Sequence, residues 1–263
     1  MEGLQRNYGF EFPDDVSQNI IGLLPVWDVC SLAACSRHWR ILCSSNFVWY
    51  SLYKKRWSLE NMKNSRAQDS LKYQHSNHSS MILNPASPIS WQAEYIYLHR
   101  QMVLGAASVI DYVKERACFD SMEVADYQKA MNLLSSSGLQ CLDVEIFLLV
   151  PKLSVLINLL GLHYCLTHLK MKEKEAREAL SRNKVGERQV CLRWWSLGGW
   201  TNGFRRHDEM HMRISSLLTL AELEPPSFLE VIDRGTLHEV LRVQISADFE
   251  SSAWVARSMH SQR

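Results

Sequence analysis

The chain has 263 residues, of which 46% are hydrophobic, so it is long enough to bury at least one sizeable core. Its 29 Lys and Arg residues nearly balance its 28 Asp and Glu residues, and the formal net charge is +1 at pH 7. A net charge so close to zero argues against a general nucleic-acid binder and against attraction to an anionic membrane. We therefore expect neither nucleic acid nor a membrane as a partner.

The cysteines and the first residues of the chain bear on the cellular compartment. The opening stretch MEGLQRNYGFEFPDD lacks the apolar segment of a secretory signal. In a reducing compartment, cysteines are usually small, buried, apolar residues rather than disulfide partners. We therefore predict a protein that is cytoplasmic, nuclear or both.

Residues 12–57 contain apolar residues at helical spacing, interrupted by prolines and capping residues, and predict a bundle of three or four short helices. Pro13 suits the first position of a helix, and Pro25 ends that helix. The apolar residues of this first helix are Val16, Ile20 and Leu24 in one stripe, with Ile21 beside it.

The rest of this segment predicts the other short helices. Asp28 can cap a second helix. The residues that we expect to face inward on it are Val29, Leu32, Ala33 and Cys35. A third helix carries Trp39, and Asn46 can cap a fourth that carries Trp49. Since so small a bundle buries too little surface to be stable alone, we expect a partner to complete it.

This segment resembles an F-box. The family pattern runs from a Leu/Phe-Pro pair through spaced Leu/Ile positions to Asp-Leu, Leu-Ala and a Trp, and this chain follows it in register from Phe12 to Trp39. The departures are Pro25, which comes one residue early, and Val29, where Leu is commoner. The residues predicted for the F-box core and its adaptor face are Phe12, Pro13, Val16, Ile20, Ile21, Leu24, Val29, Leu32, Cys35, Trp39 and Trp49. The sequence does not separate the two roles.

The resemblance implies a role in ubiquitin transfer. F-boxes dock on a Skp-type adaptor, which links them to a cullin–RING scaffold, while the rest of the F-box protein captures a substrate protein. Because the RING subunit recruits the ubiquitin-loaded enzyme, the F-box protein supplies proximity and not side-chain chemistry. We therefore predict a non-catalytic substrate-recognition subunit of an SCF (Skp–cullin–F-box) ubiquitin ligase, without a cofactor and with an unknown substrate.

The stretch CSLAACSRHWRILC, residues 30–43, raises the alternative of a metal site. Cys30 and Cys35 lie about 140° apart around an ideal helix, and the stretch has no CxxC pair. We therefore predict no metal. We interpret Cys30, Cys35 and Cys43 as small packing residues, and His38 as a polar surface residue.

After the F-box segment at residues 10–57, we predict a Ser/Asn-rich linker over residues 58–90 and a helical, substrate-recognition domain over residues 91–263. Helical periodicity is clear from residue 91 to residue 113 and again over 123–137. The apolar run 153–169 is too short and too polar to span a membrane, and it predicts a buried core helix. The charged segment 170–182 predicts a solvated helical extension.

The last part of the chain predicts further helices. A helix should follow Pro226, and another should be capped by Thr236. Residues 239–246, EVLRVQIS, are ambiguous between helix and strand. The predicted fold class is therefore all-α, with a small F-box bundle, a linker and a larger helical C-terminal domain.

Residues 189–223 combine tryptophans, arginines and glycines. The glycines indicate a tight turn, and exposed Trp with Arg is typical of recognition hot spots. The alternative is that the tryptophans pack beneath a loop and the arginines are solvated. We predict a substrate-binding surface made of Trp195, Trp200, Phe204, Arg205 and Arg206.

The same stretch contains HDEMHM, with His207 and His211 four residues apart. The motif is not HExxH, because Asp208 stands where that motif has Glu. We interpret the segment as the solvated face of a helix, on which Glu209 and Arg213 are favourably spaced.

Two other classes of function stay open. The protein could be an F-box scaffold or regulator acting outside ubiquitin transfer. It could also be an enzyme with its site in residues 91–263, although no nucleophile, base or nucleotide-binding motif supports this. We predict no catalytic residue.

Overall fold

The computed structural model describes residues 13–57, 90–222, 228–236 and 240–247. The chain forms two compact units, residues 1–100 and residues 101–263. The predicted site residue Phe12 and nearly all of the predicted linker lie outside the described residues. The three predicted domain ranges therefore stay a prediction.

Four short helices follow one another in the first unit, as the spacing of apolar residues predicts. They are α1 (Asp14–Leu23), α2 (Val26–Cys35), α3 (Arg37–Cys43) and α4 (Asn46–Arg56). Pro13 and Pro25 precede the first two helices, because proline is preset for a helix start. The capping predictions are wrong in detail: Asp28 lies inside the first turn of α2, and the hydroxyl of Ser45, not Asn46, caps α4.

Aromatic side chains in the first unit join α4 to the first turns of a long helix, α5 (Trp91–Arg116). The rings of Trp49 and Trp57 lie 5.3 Å and 4.9 Å from the ring of Tyr95. Arg56 donates a hydrogen bond of 2.9 Å to the hydroxyl of Tyr95 and stacks 4.7 Å over Trp57. Part of the covering that we expected from a partner therefore comes from this chain itself.

The second unit is built around α8 (Val155–Thr167), which is buried over eleven consecutive residues from Val155 to Cys165. This confirms the predicted core helix. The helices around it are α6 (Val124–Ser136), α7 (Cys141–Phe147), α9 (Glu173–Arg182), α10 (Leu217–Glu222) and α11 (Phe228–Arg234). Helix α9 is more than a solvated extension, because Ala176, Ala179 and Leu180 are buried.

A four-stranded antiparallel sheet in the second unit corrects the prediction of an all-α fold. Its strands are β1 (Ser121–Glu123), β6 (Val240–Ser246), β2 (Gln189–Ser196) and β5 (Glu209–Ser216), in that order across the sheet. A two-stranded hairpin of β3 (Trp200–Thr201) and β4 (Phe204–Arg205) lies between β2 and β5 in the chain. The helices predicted around Arg213 and from Thr236 are wrong, since β5 and β6 occupy these places.

The inner face of the sheet packs into the same core as α8. Its buried residues are Met122, Val190, Leu192, Val243 and Ile245. Strand β2 is also buried on its other face, at Cys191 and Arg193, so its sequence lacks the alternation that marks a half-exposed strand. This burial on both faces explains why an alternating apolar pattern, the usual signal of a strand, is absent from β2.

Asn158 is the polar centre of α8. Its side-chain amide donates to the backbone oxygen of Leu148 at 2.6 Å and of Val150 at 3.2 Å. Its side-chain oxygen accepts a hydrogen bond from Arg188, which also donates to the oxygen of Leu153 at 2.6 Å. One fully buried amide thus ties three chain segments together.

We expect Asn158→Ala to lower the stability of the second unit, because it removes the buried hydrogen bonds of the amide to the oxygens of Leu148 and Val150 and to Arg188. Each buried polar group left unpaired costs roughly 1–3 kcal/mol. Thermal unfolding followed by circular dichroism measures the effect. Asn132→Ala, a change of the same kind at an exposed residue, is the control, and equal melting temperatures for both variants would contradict the prediction.

Candidate functional site

Helix α1 carries two apolar stripes, and only one of them is buried. Ile21 is 1% exposed and Leu24 is half-buried, so this stripe holds the bundle together. On the other side, Val16, Ile20 and Leu23 follow one another at steps of four and three residues. Their exposed fractions are 39%, 47% and 75%. The structure therefore divides the predicted residues of α1 into buried and exposed ones, which the sequence could not do.

Three further large apolar side chains of the bundle are exposed. Trp27 on α2, Ile41 on α3 and Phe47 on α4 are exposed to 59%, 71% and 50%. Sequence reasoning missed these three and Leu23, although Leu23 stands seven residues after Val16 and hence on the same helical face. Large exposed apolar side chains grouped on so small a unit are typical of a binding surface. We call Val16, Ile20, Leu23, Trp27, Ile41 and Phe47 the apolar F-box set.

The other predicted F-box residues divide between the core and the surface. Val29 and Trp49 are buried. Leu32 and Trp39 are half-buried, and Pro13 is exposed. Cys35 is exposed, and its thiol donates to the backbone oxygen of Ser31 at 3.4 Å, so its predicted inward position is wrong.

The three cysteines of residues 30–43 differ in their surroundings. Cys43 is buried, and this burial raises the pKa of its thiol, with smaller contributions from Cys30 and Cys35. The interpretation as a packing residue is therefore right for Cys43. It is wrong for Cys30 and Cys35, which are exposed. Within the described ranges, no group of three or more His, Cys, Asp and Glu side chains is placed to hold a metal ion.

In the second unit, the hairpin of β3 and β4 is built by a tight turn. Trp200 pairs with Arg205, and Thr201 pairs with Phe204. The two central residues, Asn202 and Gly203, have φ of +53° and +84°. A two-residue turn with both φ values positive matches the twist of the paired strands, and Asn-Gly is its preferred sequence.

The base of the hairpin is fixed by Asp208 and Gly198. One carboxylate oxygen of Asp208 accepts hydrogen bonds from the backbone N–H of Gly198 at 3.0 Å and from Arg205 at 2.7 Å. These bonds, the one from Gly198 first, lower the pKa of Asp208 below its usual value of 3.8. A side chain at position 198 would overlap the carbonyl oxygen of Arg206, so the turn requires glycine there.

Four of the five residues predicted to bind the substrate lie on this hairpin or directly after it. Trp200 and Phe204 are exposed to 76% and 79%, and Arg205 and Arg206 are also exposed. Because neighbouring residues of a strand point to opposite faces, the pairing places Trp200 with Arg205 on one face and Phe204 on the other. The fifth residue, Trp195, is half-buried within β2, with the guanidinium of Arg242 stacked 5.0 Å from its ring.

A buried polar contact joins α6, α8 and α11. The ring of His163 lies between the hydroxyl of Tyr127, 3.3 Å from Nδ1, and a carboxylate oxygen of Asp233, 3.1 Å from Nε2. Burial raises the pKa of Tyr127 well above its usual value, so the phenol stays neutral. A cavity of about 260 Å³ borders these groups. Because Tyr127 is only 1% exposed, a substrate could not reach its hydroxyl. The arrangement therefore fits a structural contact between helices better than a nucleophile with its general base.

Comparison with known proteins supports the F-box resemblance. Residues 11–55 match a family model described as F-box-like. No curated protein and no solved structure matches the chain. The N-terminal segment is thus an F-box-like domain, which supports an F-box protein. Such domains generally bind Skp-type adaptors and are typically non-catalytic.

Among the described residues, every helix is too short or too polar to cross a membrane.

The hairpin base gives a prediction for the pH dependence of its local structure. Because the folded-state pKa of Asp208 is lowered, its bond to Gly198 is fully present above about pH 3.8 and is lost as the pH falls through that lower pKa. The amide resonance of Gly198, followed by ¹⁵N NMR, should titrate with a midpoint below 3.8. The Asp208→Asn variant should lose this titration, and a midpoint at or above 3.8 in the unsubstituted protein would contradict the prediction.

Proposed function

We propose that this protein is the substrate-recognition subunit of an SCF-type ubiquitin ligase, acting in the cytoplasm, the nucleus or both. Its F-box-like domain binds a Skp-type adaptor, and through it a cullin–RING scaffold. Its second unit holds a substrate protein for ubiquitination. The contribution to the reaction is proximity, because the substrate and the ubiquitin-loaded enzyme are held in one assembly.

The observation that carries the adaptor contact is the apolar F-box set, which lies within residues matched by the F-box-like family. Covering one exposed Leu-sized side chain contributes about 1.5–3 kcal/mol. The bundle does not need these side chains for its own core, since Ile21, Val29 and Leu42 fill it. They are therefore free to bind a partner surface.

The observation that supports a substrate contact is the hairpin of β3 and β4. Two large aromatic side chains and two arginines are exposed on a turn whose base is held by Asp208 and Gly198. A turn that is already ordered loses little conformational entropy on binding. Trp and Arg are also the side chains that most often dominate protein–protein affinity.

The adaptor contact is tested by the double substitution Leu23→Asp and Trp27→Asp. Each change replaces an exposed apolar side chain, which the adaptor would cover, with a charged one. The affinity for a Skp-type adaptor should therefore fall at least about a hundredfold. Because both residues are exposed, circular dichroism should show an unchanged helical bundle. Affinity for the purified adaptor is measured by isothermal titration calorimetry.

The matched control is Ile96→Asp, which places the same charge at an exposed apolar residue of α5, outside the F-box-like segment. It should leave adaptor binding unchanged. Equal affinities for the double variant and the unsubstituted protein would contradict the proposal. Recovery of the adaptor without a cullin from cells would favour the alternative of a scaffold or regulator outside ubiquitin transfer.

A further inference from the structure

Strand β5 forms an edge of the four-stranded sheet. Among the described strands it has β2 on one side and no neighbour on the other. It is eight residues long, and a long edge strand presents a row of unpaired backbone donors and acceptors. Proteins usually shield such an edge, so an open one is a candidate docking surface.

The hydrogen-bond pattern shows which residues face this free edge. The N–H of Leu217 donates to the oxygen of Arg188 at 3.0 Å, so these two residues are bonded to each other. They lie next to the pair of Ser216 and Gln189 in the β2–β5 register. In an antiparallel pair, residues alternate between those bonded to the neighbouring strand and those directed away from it. The residues of β5 whose N–H and C=O point to the free edge are therefore Met210, Met212, Ile214 and Ser216.

The side chains of three of these four residues form an apolar row. Met210, Met212 and Ile214 alternate along β5, so they lie on one face of the sheet. Their exposed fractions are 48%, 42% and 45%. Three of the four residues that direct backbone groups to the free edge thus also carry the exposed apolar side chains. A single added segment can contact both.

The charges around β5 favour an acidic partner. Arg213 is exposed on the opposite face of the strand, and Arg206 is exposed just before the strand begins. Of the acidic groups nearby, Asp208 is paired with Arg205 at 2.7 Å, whereas Glu209 is exposed and lies 3.9 Å from the ring of His211, too far for a hydrogen bond. Residues 205–213 contain three arginines and two carboxylates, so this stretch keeps a net charge of +1 that attracts negative charge.

We infer that an extended segment of the substrate protein pairs with β5 as an additional antiparallel strand. Its apolar residues, at alternate positions, cover Met210, Met212 and Ile214, and acidic residues between them lie on the face of Arg213. An added strand, unlike a docked helix, pairs the backbone groups of the free edge, because a helix bonds its own backbone internally. This inference rests on the proposed function and names the class of segment that the second unit recognises.

The test uses a fluorescein-labelled peptide of alternating valine and glutamate, eight residues long, and the full chain in complex with its Skp-type adaptor. Fluorescence anisotropy should show saturable binding. Amide hydrogen exchange should slow at Met210, Met212 and Ile214, while the amides already bonded to β2 change less. A peptide in which lysine replaces glutamate should bind at least about tenfold more weakly, because it meets the two arginines with like charge.

Methylation of the peptide nitrogens tests the pairing geometry. In an antiparallel pair, the valines opposite Met212 direct their N–H groups to β5, whereas the glutamates direct theirs away. Methylated valines should therefore abolish binding, and methylated glutamates should preserve it. The opposite result would overturn the inference.

A matched pair of variants locates the site. Met212→Ser should weaken peptide binding by roughly tenfold, because an apolar contact is lost at the centre of the row. Leu241→Ser, at a comparably exposed residue of β6, should not change it. Absence of saturable binding while the adaptor stays bound overturns this inference alone. Loss of the adaptor from the unsubstituted complex speaks against the proposed function instead.

Discussion

The second unit depends on the complete burial of α8, because a helix with no solvent-facing side must find partners inside the protein for each of its polar side chains. Asn158 finds them in the backbone of the α7–α8 connection and in Arg188, just before β2. His163 has the hydroxyl of Tyr127 on α6 at Nδ1, and a carboxylate oxygen of Asp233 on α11 lies 3.1 Å from its Nε2. These two side chains therefore connect α8 to the segments around it, and apolar residues form the rest of the core.

The sheet has one face against this core and, among the described strands, no neighbour beside β5, and its exposed features follow from that placement. Strand β2 is central, so its backbone groups are used on both sides by β5 and β6. Strand β5 has a described neighbour on one side only. The hairpin that links β2 to β5 must leave the core, and its aromatic side chains are consequently exposed. In the first unit, α1 likewise has both a buried and an exposed apolar side, on a single short helix.

Much of the helical structure was predictable from prolines and apolar spacing, whereas the predicted side-chain caps of α2 and α4 were wrong because neighbouring residues hold those positions. The sequence also placed the F-box residues and a turn rich in exposed Trp and Arg. It could not tell Ile20 from Ile21, since both are apolar and only the packing of the other helices decides which one is covered. Strand β2 was missed because it is buried on both faces and its apolar run does not alternate. For β5, a helix was predicted because Glu209 and Arg213 stand four residues apart. Cys35 was misplaced because a small side chain gives no signal of its exposure.

Two methionines supply much of the apolar row on the free edge of β5, and this choice of side chain has a chemical consequence. A thioether can be oxidised to a sulfoxide, which is polar and chiral, whereas an aliphatic side chain such as Ile214 cannot. Met210 and Met212 are both accessible to solvent and therefore to oxidants. Oxidation of this pair turns most of the row polar and leaves the backbone edge intact. The oxidation state of the two sulfur atoms thus determines whether the side chains along this edge of the sheet are mainly apolar or mainly polar.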